Sequence, residues 1–557
     1  MIGLNKIGLN QVQLNRLHLN APFPAYGKMA GGGGSGDGFP QLPGDVTRWH
    51  FGGLTNEMMA AMDDPRIEDA DGKGRFLSFK NFAWKEGSGI SDVYPGALVF
   101  DGVDDYGVCE NFPILTKEKG YTVVALRQWI TRGERALGLV SNVKDWFNDG
   151  AFLLEYRNVN ADYFNSPMSF GAIGSEKDLP HILTYQTSKS YNGVSIITGN
   201  FTGTDVLYVG KLATRNVGIC INAAIWELVF LDHDATEEEL TKIKDYFVKT
   251  YPWLFPDQAW TVVGKTNEDE DRATIANITG NGNDLVLSNL GFAEGSGYGL
   301  YKTPFELYPS VQHSSKYSLS FSKFALGDHN LIIAPKQNDL SYDIKVKVTG
   351  LKDGVKFKWG WIGTTGYIDI TTDGIHMLNK PASQIRQLIV EFAEDFDPDH
   401  VVTIEQIPEY EGYLITDGVD DTGRAVGLTI PKDFTLVGEW ILFSKTSVNA
   451  GLSIHPQIHI FNQPEAIKIV FRTAGKTLPV KSLKAICSDG RCYDENWSEL
   501  KINVGEFTDN KGTLFVASNG TNYAQIAFKN LGIYDNHILS KDDCIKAYNY
   551  LQTLKAK

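Results

Sequence analysis

The pentapeptide Asp-Gly-Val-Asp-Asp occurs twice in this sequence, at 101–105 and at 417–421. Each copy places three carboxylates within five residues: Asp101, Asp104 and Asp105, then Asp417, Asp420 and Asp421. Crowded carboxylates repel one another unless a cation or backbone N–H groups satisfy them. An all-oxygen set suits calcium, so the six aspartates form the candidate metal site and calcium is the one candidate cofactor. A tight turn between strands also asks for Asp and Gly. Spacing leaves both readings open, and a calcium ion would need further oxygens from loops distant in sequence.

Other chemistry finds less support. A retaining glycosidase needs two carboxyls about 5 Å apart, one of them held protonated by its surroundings. Glu268, Glu270 and Asp271 fall in a polar loop, and Glu394, Asp395, Asp397 and Asp399 fall in a turn-like FAEDFDPDH. Neither group lies on an alternating strand. No G-x-S-x-G elbow is present, and Cys487 and Cys492 have no histidine placed to activate them. Those two cysteines flank Ser488 to Arg491, so a hairpin would bring them near each other as reduced thiols. His455 and His459 read as two residues on one face of a strand. Exposed aromatic platforms would serve carbohydrate recognition; the candidate ligand-binding residues are Trp359, Trp361, Trp146 and Tyr156. The expectation is a protein that is not an enzyme.

Composition narrows the partners. The chain has 557 residues, 52 Lys and Arg against 67 Asp and Glu, and a formal net charge of -15. No basic cluster is present to track phosphates, so nucleic acid is excluded as an expected partner. Five cysteines are too few, and odd in number, for a disulfide framework. No run nears the roughly 18 apolar residues of a membrane span, and the N-terminus lacks a secretory signal pattern. Abundant Gly (56 residues) and 12% aromatics point to turns between short strands.

The elements that would hold the aspartates also repeat. GLTNE at 53–57 returns as GKTNE at 264–268, and FLSFKNFAWKEGSG at 76–89 as DLVLSNLGFAEGSG at 284–297. GALVFDGVDDYG at 96–107 returns as GYLITDGVDDTG at 412–423, and YTVVALRQWI at 121–130 parallels FTLVGEWILF at 434–443. Both copies end in a strand followed by a helix opened by a capping box, Thr236 with Glu239 and Ser540 with Asp543. Leu240, Ile243 and Phe247 give the first of these helices an apolar face. From Glu86 to Asp101 is 15 positions, whereas from Glu294 to Asp417 is 123. The second copy therefore contains an insertion, and its alternating strands predict a further β-sandwich placed in a surface loop.

At the N-terminus IGLN, KIGLN, QVQLN and RLHLN repeat with period five. Ile2, Leu4, Ile7, Leu9, Val12, Leu14, Leu17 and Leu19 form an apolar set that such short units cannot bury alone, so they are the candidate partner-docking residues. A Gly/Pro linker follows. The predicted organisation is a pentad-repeat docking arm (1–20), the linker (21–45), a jelly roll (46–255), a second jelly roll (257–302 plus 411–557) and an inserted β-sandwich (303–410). The fold class is all-β: two antiparallel jelly-roll sandwiches, the second interrupted.

An apolar strand, DGVDDY and then YTVVALRQWI resemble the concanavalin A-like lectin/glucanase superfamily in its laminin-G-like branch. That resemblance implies two-sheet jelly rolls, and some members of the branch bind calcium. TNEDEDRATI (266–275), EQIPEYEG (405–412) and ENFPILTKEKGYTV (110–123) resemble segments of virion-associated proteins of gut Bacteroides phages, crAss-like ones included. This implies a non-catalytic structural protein on the virion exterior, as a head or tail fibre, decoration or appendage component. The arm would bind other virion proteins, the chain would form a homo-oligomer such as a trimer, and the lectin-like domains would attach to host-surface glycans. The alternatives are a bacterial glycan-binding protein with no particle, and, behind it, a glycosidase.

Overall fold

Strand Thr122–Thr131 shows how the sequence builds this molecule: its first eight residues are all buried, with no polar-out alternation. A strand reads this way when both faces of its sheet are covered. Tyr121, Val123, Ala125 and Trp129 point into the sandwich core. Helix Glu237–Thr250 contributes Ile243, Tyr246 and Phe247 as buried residues, and Leu240 is half-buried.

The computed structural model describes residues 38–556. Left out in the first half are 132–136, 144–149, 157–161, 167–168, 173–180, 187–201 and 212–219. In the second half 281, 294, 301–304, 307–312, 315–316, 323–333, 336–343, 352–354, 362–367, 379–385 and 393–396 are left out. So are 398, 444–448, 456–457, 464–465, 472–473, 481, 505–509 and 521. The docking arm, most of the linker and Trp146 thus lie outside the described residues. The described residues divide into two compact units, one of residues up to 256 with 539–554 and one of residues 257–538 with the last residues after 554.

In the first unit one sheet has the order His181–Gln186, Thr122–Thr131, Asn222–Leu231, Leu98–Asp101, Gly89–Ile90, with Val46–His50 also pairing Asn222–Leu231. The second sheet runs Ser169–Ala172, Asp162–Ser166, Gly150–Tyr156, Leu137–Val143, Leu207–Val209, Tyr106–Cys109, Phe76–Lys80, Arg66–Glu68. Helix Lys541–Gln552 falls with this unit and buries Cys544, Ala547, Tyr550 and Leu551.

The second unit repeats both orders and extends the first sheet, beyond Leu483–Cys487, by strands Arg491–Asp494 and Glu499–Lys501. Leu483–Cys487, Phe434–Leu442, Ile526–Asp535, Glu409–Ile415 and Gly297–Leu300 follow one another, with Gln258–Thr261 pairing Ile526–Asp535. Facing them, Ala474–Leu478, Ala466–Phe471, Ile458–Gln463, Asn449–His455, Asn510–Val516, Thr422–Ile430, Leu285–Ser288 and Thr274–Ile275 reproduce the second sheet. All pairings among the described residues are antiparallel, and the fold is all-β. Trp49 and Trp260 sit at matching points: each is fully buried, and each indole donates to the carbonyl of a matching loop residue, Arg75 and Asn283.

The insertion enters between two paired strands. Gly89–Ile90 pairs with Leu98–Asp101 across residues 91–97, whereas Gly297–Leu300 pairs with Glu409–Ile415 across residues 301–408. The inserted stretch forms a five-stranded sheet in the order His313–Ser314, Ser318–Phe321, Val402–Ile407, Ile344–Thr349, Gly374–Leu378. A three-stranded sheet (Ile368–Ile370, Val355–Trp361, Arg386–Phe392) and a two-stranded one accompany it. Ile344, Val346, Val348, Val402 and Ile404 are buried, and the residues between them are not, which is the alternation expected of a one-sided sheet.

Two expectations need correction. His455 and His459 lie on two adjacent strands, Asn449–His455 and Ile458–Gln463, not on one; Ser453 stands opposite His459, so the two histidines still share a sheet face. Only the first capping box is complete: Glu239 reaches back to the Thr236 N–H. Asp543 is one methylene shorter, and its carboxylate accepts from the Ser540 hydroxyl instead.

Candidate functional site

Each DGVDD segment is the corner at which the chain leaves one sheet of a sandwich and enters the other. Leu98–Asp101 belongs to the first sheet and Tyr106–Cys109 to the second. The bend needs glycine at its second position: Gly102 has φ +81° and Gly418 +77°. A Cβ there would meet Asn222 in the first copy and, at 2.9 Å, the Gln525 nitrogen in the second.

The first aspartate of each corner folds the turn onto itself. Asp101 Oδ1 accepts from the N–H of Val103 (2.8 Å) and of Asp104 (3.3 Å), and Asp417 Oδ1 accepts from the N–H of Val419 (2.8 Å). The last aspartate closes the ring from the other side. Asp105 Oδ2 accepts from the Asp101 N–H at 3.0 Å, and Asp421 Oδ2 from the Asp417 N–H at 2.8 Å. Both closing residues are fully buried. Asp104 and Asp420 are exposed.

A second loop supports each corner. Asn81 and Asn289, at φ 68° and 67°, donate side-chain N–H groups to the carbonyls of Asp104 and Asp420, both at 3.0 Å. Ser88 and Ser296 stand beside the closing carboxylates, while their hydroxyls accept from the Ala83 and Gly291 N–H. The KNFAWKEGSG-type repeat was visible in the sequence, but its contact with DGVDD was not.

In each corner the three carboxylates approach so that one oxygen of each lies within 4.8 Å of the others. Burial pushes Asp105 up to about 6, against hydrogen bonds from Ser88 and the Asp101 N–H; the charges of Asp101 and Asp104 add to the rise. Asp421 is likewise raised by burial, against hydrogen bonds from the Asp417 N–H and Ser296, and the charges of Asp417 and Asp420 add to the rise. The other oxygen of each, Oδ1, is buried and accepts no backbone N–H. The arrangement therefore works chemically as a turn lock that uses carboxylates as acceptors for backbone N–H groups. A calcium ion would draw on the oxygens left over, the closing Oδ1 and the exposed Asp104 or Asp420.

The other candidates are scattered. Trp359 and Trp361 lie on strand Val355–Trp361 of the insertion, and Tyr156 ends strand Gly150–Tyr156 of the first unit; their side chains lie outside the described residues. Cys487 and Cys492 flank the predicted hairpin turn, but Cys492 stands opposite Ile486, which puts Cys487 on the other face. All five cysteines are buried free thiols. Glu268 and Glu270 remain in a loop, where Asp271 pairs with Lys265 at 2.6 Å. No described helix is long and apolar enough to cross a membrane.

No family model matches this chain, and no curated protein matches it. Among solved structures it is similar to a botulinum neurotoxin type C chain described by cell entry dependent on two ganglioside molecules. That likeness has 9% identity, 84% of this chain and 94% of the other covered, and a TM-score of 0.25. The botulinum neurotoxin serotype D binding domain gives 9% identity, 65% and 85% coverage and a TM-score of 0.24. The NanB sialidase of Streptococcus pneumoniae gives 9%, 76% and 96%, and 0.20. Scores this low carry no argument about chemistry, and the fold description rests on the strand orders above.

Proposed function

We propose that this protein is a non-catalytic, glycan-binding component of a virion exterior, held to the particle by its N-terminal arm. The observation that carries the reading is one chain joining a repetitive apolar arm, a Gly-rich tether and two sandwiches of one plan. An arm that must bury its apolar residues elsewhere, ahead of a duplicated display domain, is organised for attachment and presentation. The resemblance to lectin-like sandwiches supports glycans as what is met. The locked DGVDD corners support a structural use of the carboxylates, because their oxygens are engaged by the backbone.

Deleting residues 1–20 from the full chain and purifying particles tests the attachment half. The expected result is a chain that still folds but is absent from particles; undiminished incorporation overturns it. A glycan array with the full chain tests the other half. Hydrolysis of any glycan it binds would overturn the non-catalytic assignment.

A further inference from the structure

The chain enters the second unit at Asp257 and leaves it after Ile538, on the way to helix Lys541–Gln552. Those two segments are bonded to each other. The Asp257 N–H donates to the Ile533 carbonyl at 2.8 Å, and the Asp535 N–H donates to Asp257 Oδ2 at 2.7 Å. Two carboxyl groups therefore meet where the chain comes in and goes out. Both residues are half-buried, and Asp535 Oδ1 is buried with no hydrogen-bond partner.

The first sandwich gives the comparison. Trp49 stands opposite Leu228 and Trp260 opposite Leu531, so Asp232 and Asp535 occupy the same register. The Asp232 carboxylate accepts the Asp45 N–H at 2.7 Å and lies 3.5 Å from both the Lys119 ammonium and the His233 ring. Asp45 in turn pairs with Lys73 and Arg75. Asp535 has a second carboxyl group in place of these cations. Burial, and then the Asp257 charge, push it up to about 7. Asp257 is also raised by burial, against the Asp535 N–H and the charge of His537. Among the described residues His537 is the cation-forming side chain that acts on the pair. Asp433, beside the exit, meets Asn536 through its backbone carbonyl.

We propose that Asp257 and Asp535 form a proton-dependent clasp on two segments that connect the second unit to the first. Closed, the pair holds one proton, which leaves a single charge between the two carboxyl groups. At higher pH that proton passes to solvent, and two like charges face each other. Their repulsion opens the end of the ladder, freeing 255–257 and 535–538 from each other while the strands beyond stay paired. The direction follows from linkage. In the opened segment Asp535 ionises near 3.8, and in the closed one near about 7, so opening gains across that interval as pH rises.

Hydrogen exchange of the full chain at pH 5 to 8, corrected for the intrinsic rate, tests the clasp. Protection of the Asp257 and Asp535 N–H groups should fall about tenfold or more across that range. Leu436 and Val437, which pair with Ile533 and Gly532, should stay protected, as should Asp45 and Asp232. Asp257→Asn keeps an acceptor for the Asp535 N–H, and Asp535→Asn removes the proton-binding group. Each variant should flatten the dependence. A parent chain with no such loss overturns the proposal, as does a loss that persists in both variants. A loss shared equally by Leu436 and Val437 would be unfolding of the whole sandwich and would overturn it too.

Discussion

Replacing Asp105 by Asn separates a turn lock from a cation site. Asp105 is fully buried, accepts one backbone N–H at 3.0 Å, and is pushed from 3.8 to about 6, chiefly by burial. The sign follows from proton counts. Below pH 3.8 both folded and unfolded chains carry the proton, and the group contributes no pH dependence. Between about 3.8 and 6 the unfolded chain ionises while the folded chain holds its proton, so stability falls as pH rises. Above about 6 both are ionised and the loss is complete. A two-unit rise sets a ceiling of about 3 kcal/mol. Solvent beside the exposed Val103 and Asp104 screens the charge, so about 1–2 kcal/mol is expected.

Asn keeps an oxygen for the Asp101 N–H and cannot ionise, so this slope should vanish in the variant. Its new amide N–H groups need acceptors and cost about 1 kcal/mol at every pH. Hydrogen-exchange protection in the full chain at pH 4 to 8, read on residues 98–109, measures the difference. The same experiment read on residues 414–424 is an internal control, because Asp421 is unaltered. Asp421→Asn should move the second region and leave the first. Added calcium should change parent and variant alike. An unchanged slope in Asp105→Asn would refute the turn-lock account. So would calcium protection at pH 8 that the parent shows and the variant loses, and that outcome would establish the cation site instead.

Other perturbations test the sandwiches. Arg48 and Glu227 form a buried ion pair at 2.8 Å, with Tyr246 and Tyr251 hydroxyls completing it. Arg48→Ala strands the Glu227 charge and should cost about 3–5 kcal/mol in urea unfolding. Adding Glu227→Asn, which copies the Ala259 and Asn530 found at the same register in the second sandwich, should recover most of that loss. Asp535, pushed up to about 7 by burial and by Asp257 beside it, donates its N–H to Asp257 Oδ2 at 2.7 Å. Stability should fall as pH rises from about 4 to 7, and Asp535→Asn should remove about 1–2 kcal/mol of that fall once solvent screening is allowed for; thermal midpoints at pH 5 and 8 check it. Gly102→Ala and Gly418→Ala should each destabilise by more than 1 kcal/mol because both glycines lie at positive φ; unchanged midpoints would contradict the turn geometry.

Much of the architecture was readable because the chain states it twice. Collinear motifs such as FLSFKNFAWKEGSG and DLVLSNLGFAEGSG mark strands and loops that occupy the same places in both sheet orders. Unequal spacing before DGVDD located the insertion, since paired strands cannot tolerate 100 extra residues except in the loop that joins them. What stayed hidden depends on partners far away in sequence. Glu227 is 179 residues from Arg48, and nothing local in VTRWH tells a surface arginine from a buried one. Gln406 reads as a polar position in VTIEQI. Its side chain is buried because it shares a face with Val402 and Ile404, opposite Val346. The two histidines mislead for a local reason: HPQIHIF alternates like one strand, whereas His455 ends one strand and His459 lies in the next.

The two copies also act as controls for each other. The second sandwich does without the Arg48–Glu227 pair, so that pair is not a requirement of the fold. By contrast, the corner recurs in detail: the same acceptor roles for the first and last aspartates, the same left-handed Asn, and the same serine beside the buried carboxyl. A device repeated this closely in both sandwiches answers a demand the sandwiches share, which is to carry the chain from one sheet to the other. The largest difference between the copies is the chain between Gly297–Leu300 and Glu409–Ile415, which joins the sandwich at those two strands. A function particular to one copy has to come from features the other lacks, and this inserted chain is the largest of them.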